Sequence, residues 1–218
     1  MDLTELIKTQ EELKRKIKLV YQGKKVRYIA GCDVAYVKNK AIACAVVLRI
    51  PELDVIETSF YIEETVFPYI PGFLAFREGP VIIVAIKKLT TAFDVIILDG
   101  HGIAHPRKMG LATYTGIFIN MPTIGCAKSL FAGQYADCGN RKGDFSPIAI
   151  NGEVVGVCLR TKRNVKPVFV SPGNLIDIEN SVKIVLQCSQ DYRLPEPLRL
   201  AHIFANNIKR TLQGGKNE

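Results

Sequence analysis

Three strand-length runs follow one another with almost nothing between them. Val26–Val37 is bounded by Gly23 and Asn39, Ala41–Ile50 is apolar and stops at Pro51, and Val55–Val66 alternates and is rich in β-branched and aromatic residues. The connections, at Lys38-Asn39-Lys40 and Pro51–Asp54, have hairpin length, so the spacing predicts an antiparallel meander. An amphipathic helix is expected ahead of it over residues 3–18, where Leu3, Leu6, Ile7, Leu13 and Ile17 share one face.

After the meander the pattern changes. Pro68-Tyr69-Ile70-Pro71-Gly72 reads as a stiff loop. A helix is expected beyond it, with Pro80 restarting it at a first-turn position after Gly79. Phe93–Leu98 is a short, wholly apolar strand ending in Asp99-Gly100; a helix near Gly110–Asn120 and a strand near Thr123–Ala127 follow. Strand–helix alternation implies parallel pairing there. Later runs lie at Pro147–Ile150, Val154–Leu159 and Val168–Val170. Two helices close the chain, one capped by Asn174 and one from about Pro197 to Arg210, before a polar tail, Gln213–Glu218, expected to fray. No repeat or linker interrupts the 218 residues, so one domain over 1–218 is expected. The fold class is α/β: a mixed sheet, three antiparallel strands then parallel strands, flanked by helices. That is the order of a ribonuclease H-like core, which nucleases, transposases and sugar-kinase-like ATPases share, so the fold alone selects no function.

Composition narrows the partners. There are 29 Lys and Arg against 21 Asp and Glu, a formal net charge of +8, which favours a polyanionic partner. The longest apolar run, Ala41–Leu48, is far short of a membrane span, and the opening residues Asp2, Glu5 and Lys8 lack the plan of a secretory leader. A cytoplasmic protein with no membrane partner is expected. The six cysteines form no C-x-x-C pair and lie mostly in apolar runs, so buried free thiols are expected.

The candidate chemistry rests on acids in unusual places. Asp33 sits inside the first strand, where a carboxylate needs a cation or hydrogen-bond donors. Asp99 ends an apolar strand, the edge at which ligands gather in open α/β sheets. Glu78, beside Arg77, is by itself an ordinary helix acid. In a ribonuclease H-like order the first and fourth strands are neighbours, which brings Asp33 and Asp99 together with Glu78 arriving from the intervening helix. Converging carboxylates repel, and a hard cation such as Mg²⁺ resolves the repulsion while accepting phosphate as a further ligand. Lys128, after the strand Thr123–Ala127, suits a phosphate contact, although a strand-end lysine is usually a surface residue. His105 is placed for proton transfer or phosphate contact; His202, among apolar neighbours, reads as a satisfied core histidine. Tyr69, on its proline-bounded loop, reads either as packing or as an aromatic wedge in a base stack.

Taken together, Gly31-Cys32-Asp33-Val34-Ala35-Tyr36, the stretch Pro68–Glu78, Asp99–Arg107 and Gly125-Cys126-Ala127-Lys128 resemble the endonuclease V family over nearly the whole chain. The resemblance implies a ribonuclease H-like nuclease that recognises deaminated adenine and cuts the second phosphodiester bond 3′ to it, with Mg²⁺ or Mn²⁺. It implies Asp33, Glu78 and Asp99 as catalytic, metal-holding acids, and His105, Lys128 and His202 as their catalytic supports. It further implies Pro68, Tyr69, Ile70 and Pro71 as the DNA wedge, and Gly72, Leu74, Gly100, Gly102 and Leu111 as the base pocket. DNA containing deoxyinosine is the expected partner of a monomeric enzyme. Inosine-containing RNA is the alternative substrate, and a catalytically idle nucleic-acid-binding module or a small-molecule phosphotransferase the alternative classes. The chain departs from the family at Tyr114, where many relatives carry His, at Cys32, and at Ser129-Leu130-Phe131, where Phe131 bears on the base pocket.

Overall fold

In the computed structural model, residues 2–23 and 25–214 are described. One eight-stranded sheet carries the fold, in the order β3-β2-β1-β4-β5-β8-β7-β6. The meander is there: β1 (Tyr28–Val37), β2 (Lys40–Arg49) and β3 (Asp54–Glu64) pair antiparallel in sequence order. β4 (Val95–Leu98) lies parallel to β1, and β5 (Thr123–Ala127) parallel to β4.

Parallel pairing ends at β5. β8 (Val168–Asn174) runs antiparallel to β5, β7 (Glu153–Leu159) antiparallel to β8, and β6 (Phe145–Ile150) antiparallel to β7. The expected run of parallel strands is therefore three strands deep. Asn151 and Gly152, both with positive φ, form a tight turn that folds β6 onto β7 as a hairpin, and a hairpin can pair only antiparallel.

The helices cover both faces. α1 (Leu3–Lys14) precedes the sheet and stops four residues short of the expected end. α2 (Leu74–Lys87) packs Val81, Ile82, Ala85 and Ile86 over Ala30, Cys32, Ile96 and Leu98. α3 (Leu111–Ile119) follows β4. On the other face α4 (Ile178–Gln187) and α5 (Glu196–Gly214) pack Ile184, Val185, Leu198 and Ala201 over Ile29, Val95 and Ile97. Consecutive residues of β4 thus enter opposite cores, which is why the strand is apolar without alternation.

Three further expectations are corrected. Pro80 does not restart a helix but sits inside α2, on its exposed side. Losing one backbone bond there costs about 3 kcal/mol, which the continuous burial of the Ala75-to-Ile86 face offsets. Asn174 does not cap α4. It ends β8, donates from Nδ2 to Gly116 O at 3.2 Å and accepts from Lys18 N at 3.0 Å, while Asp177 caps the helix by accepting from Asn180 N at 2.8 Å. The last helix continues to Gly214, through the first residues of the expected frayed tail; residues 215–218 of that tail lie outside the described residues. All six cysteines are buried and unpaired, as expected. No helix among the described residues is long and apolar enough to cross a membrane.

Candidate active site

β1 runs past the end of β4. Cys32 is paired with Leu98, and Asp99 N donates to Cys32 O at 3.3 Å, so Asp33 and Asp99 stand side by side where β4 stops. The two-residue period of β1 turns Asp33 toward α5 and Tyr36 toward α2. His202 on α5 donates from Nδ1 to Asp33 Oδ2 at 2.6 Å. On the other side Tyr36 Oη donates to Glu78 Oε1 at 3.1 Å and accepts from Arg77 Nε at 3.0 Å. The Arg77 guanidinium also lies 4.5 Å over the Tyr36 ring. Asp33, Glu78 and Asp99 line one cleft of about 450 Å³ together with Tyr36, Tyr69 and Arg77. The sheet face therefore does not separate the acids: the short β4 leaves an open end at which both faces meet.

The charges in this cleft are poorly compensated. Burial pushes the Glu78 carboxyl up to about 8, and Asp33 and Asp99 push in the same direction against the Tyr36 hydrogen bond. Burial, then the Asp99 charge, raises Asp33 above the usual carboxylate range although His202 and Lys128 oppose it. Lys128 is ion-paired with Asp99. Burial works against its ammonium, but Asp99 outweighs burial and holds the Lys128 pKa above its ordinary value. Contrary to the core-histidine reading, the His202 side chain is half exposed, and Asn206 Nδ2 reaches its Nε2 at 3.2 Å.

A second cavity, about 350 Å³, adjoins the cleft and shares Tyr69, Leu74 and Asp99 with it. Gly72, Gly100 and Leu111 line it, with His101, His105, Lys128 and Phe131. Its volume lies within the roughly 300–1,000 Å³ of small-molecule sites. Gly102 is not on the lining. Its amide donates to Ser171 Oγ at 2.8 Å, and a Cβ there would stand 2.0 Å from Pro172 O, so it is a close-packing glycine behind the wall. Tyr69 is 67% exposed and overlooks both cavities, whereas Pro68, Ile70 and Pro71 line neither. Phe131 stacks on the His105 ring, 5.5 Å between centroids at 23°.

His105 lies in the wall of this second cavity and does not line the acid cleft. Its Nδ1 accepts from Arg107 N at 3.1 Å and Met109 N at 3.4 Å, so the proton is on Nε2, which meets Gly72 O at 3.1 Å. Burial, with Arg107 adding to it, pushes the imidazole down to about 4. It is a neutral donor with both nitrogens engaged. Sequence reasoning also missed Gln10, Tyr36 and Arg77 as neighbours of the site. For Tyr36 the signal was available, since β1 alternation places it on the α2 face; for Gln10 nothing local marks a contact with residue 72.

Residues 11–203 match the family model for endonuclease V. The chain belongs to the endonuclease V family. It is 47% identical to the endonuclease V of Dictyoglomus turgidum over 204 residues, 94% of this chain and 90% of the relative. The structure of the Bacillus subtilis endonuclease V superposes with a TM-score of 0.94 at 35% identity, covering 99% of this chain and 95% of that one. A Ciona intestinalis endonuclease V, solved with a 24mer DNA containing an inosine followed by a ribo-adenosine, superposes with a TM-score of 0.84 at 30% identity, over 96% and 98% of the two chains. Endonuclease V structures have a ribonuclease H-like fold, so the mixed sheet and its flanking helices are of that fold. The family is one of metal-dependent nucleases.

Among the described residues, no group of three or more His, Cys, Asp or Glu side chains is gathered tightly enough to hold a metal ion. Asp33, Asp99 and Glu78 are each engaged by a neighbour, His202, Lys128 and Tyr36 respectively. Asp33, Glu78 and Asp99 nonetheless set three carboxyl groups, the oxygen donors that a hard divalent cation takes, along one cleft.

Proposed function

We propose that this chain is an endonuclease that recognises deaminated adenine in DNA and hydrolyses the second phosphodiester bond on its 3′ side, opening repair and leaving 3′-hydroxyl and 5′-phosphate ends. One observation carries this reading. A cavity of base-accommodating volume and a cleft of acids share Asp99, Leu74 and Tyr69, so a base lodged in the first leads its strand past the second.

Recognition follows from the hydrogen-bonding edges. Hypoxanthine presents a 6-oxo acceptor and an N1–H where adenine presents an amino donor and an N1 acceptor. Backbone groups near Gly72 and Gly100 that suit the first leave buried groups unpaired with the second, at about 1–3 kcal/mol each. A mispaired inosine also leaves the stack at lower cost. Tyr69 fills the space that the displaced base vacates.

Asp33, Glu78 and Asp99 would hold Mg²⁺ or Mn²⁺. When bound, such a cation supplies charge neutralisation at the scissile phosphate and a more acidic water. Lys128, beside Asp99, meets the phosphate as a point charge. His202 orients Asp33 through its Nδ1–H. His105 serves as a positioning residue, because neither nitrogen is free to move a proton. RNA containing inosine is the second reading, supported by the ribo-adenosine that follows the inosine in the Ciona intestinalis complex. Its 2′-hydroxyl contacts would decide preference.

The test uses Mg²⁺ and end-labelled strands of one sequence carrying adenine, deoxyinosine or riboinosine at one site. A nick one nucleotide past the lesion, in inosine strands alone, is expected. Equal cutting of the adenine strand, or intact binding with no cut, contradicts the reading.

A further inference from the structure

The loop that carries Tyr69 is held from an unexpected direction. Gly72 closes it with a φ of +84°, and its carbonyl oxygen meets three donors drawn from two distant parts of the chain. Gln10 Nε2 donates at 2.9 Å, His105 Nε2 at 3.1 Å and Arg107 Nη2 at 3.2 Å. A carbonyl has two lone pairs, so the third donor exceeds what satisfying that oxygen requires. The surplus fixes the oxygen in place rather than merely pairing it.

Gln10 is the most constrained of the three. It lies on α1, whose only other buried residue is Leu13, and its exposure is 0%. A fully buried glutamine on a helix that is otherwise solvated must use its amide to be tolerated. Both ends are used: Nε2 holds Gly72, and Oε1 accepts from Arg107 Nε. The Arg107 guanidinium is itself seated 4.8 Å over the Phe73 ring, next to Gly72. Gln10, Arg107 and Phe73 thus lock one another around the base of the loop, and none of them lines the acid cleft.

A wedge transmits force only if its root is rigid. We infer that Gln10 is a positioning residue that clamps Gly72 and so holds Tyr69 upright between the two cavities, setting the enzyme's ability to open a duplex at the lesion. This rests on the reading of Tyr69 as the wedge. The clamp matters where a base must be unpaired and unstacked, and matters little for a strand already single.

Gln10→Glu isolates the contact. The carboxylate still accepts from Arg107 but has no N–H for Gly72 O. The expected result on duplex deoxyinosine DNA is about a tenfold fall in kcat/KM, carried by KM with kcat within about twofold. On single-stranded deoxyinosine DNA the change stays within about twofold. A general structural defect lowers both substrates alike, and that outcome overturns the inference. Hydrogen exchange of the free protein gives an independent reading at the Phe73 amide, which donates to Ile70 O at 3.0 Å inside the loop. It should exchange about tenfold faster in Gln10→Glu, and unchanged exchange overturns the clamp. Should Gln10→Glu not fold, Gln10→Met removes the same donor without a buried charge. If the unaltered chain cuts neither substrate, the reading of the site fails, while exchange at Phe73 still decides the clamp.

Discussion

Glu78 sets the pH behaviour of the site. Its carboxyl is held protonated up to about 8, first by burial and then by Asp33 and Asp99, against an ordinary value of 4.5. Between those values the folded chain keeps a proton that the unfolded chain has lost. Glu78 therefore contributes a stability that falls as pH rises from about 4.5 to about 8 and is flat above; His105, held down to about 4, and His101 act in the opposite sense below their ordinary 6.5, so the net metal-free fall is expected between about 6.5 and 8. With Glu78 as a cation ligand, as proposed, the ionised form is needed, and divalent-cation affinity is expected to rise across the same window. Thermal melts in chelator at stepped pH should show the falling slope, and Glu78→Gln should flatten it. An identical slope in the variant assigns the pH dependence elsewhere. The same residue shows what a sequence hides: Glu78 beside Arg77 reads as a solvated helix pair. Its burial and its Tyr36 partner arise only when α2 lies on β1.

Helices and strands place these groups through close approach at small residues. Gly31 lies two residues before Asp33, and a Cβ there would stand 2.3 Å from Pro197 O at the start of α5. Gly31→Ala must push α5 off β1, and α5 carries His202. A loss of about 1–3 kcal/mol in urea unfolding is expected, with a cleavage defect that persists well below the unfolding transition. Wild-type activity in a folded Gly31→Ala chain would separate the α5 seat from the site. At this scale the sequence was readable where period and punctuation agree, as in the meander and in β4 with its terminal Asp99. It misled where tertiary contacts decide. Pro80 is carried inside α2 by apolar burial, and Asn174 is consumed by Gly116 and Lys18 before it can cap α4. The antiparallel return of β8, β7 and β6 had no signal beyond the Asn151-Gly152 turn.

Across the whole molecule, one topological fact makes the site. β4 is parallel to β1 and shorter, so Asp33 and Asp99 meet at an open strand end, with α2 delivering Glu78 from one face and α5 delivering His202 from the other. That adjacency was legible from element order and the resemblance together. The partition of the remaining residues was not: His105 and Gly102 lie in sequence beside Asp99, yet one faces the second cavity and the other is packed behind it. As proposed, recognition and cleavage use adjoining cavities joined at Asp99. The most direct test of that arrangement compares Asp99→Asn with the unaltered chain, measuring both binding to deoxyinosine duplex and single-turnover cleavage in Mg²⁺. Cleavage is expected to fall by about a thousandfold or more while lesion binding stays within several-fold. Cleavage near the original rate, or loss of lesion binding in step with cleavage, would contradict it.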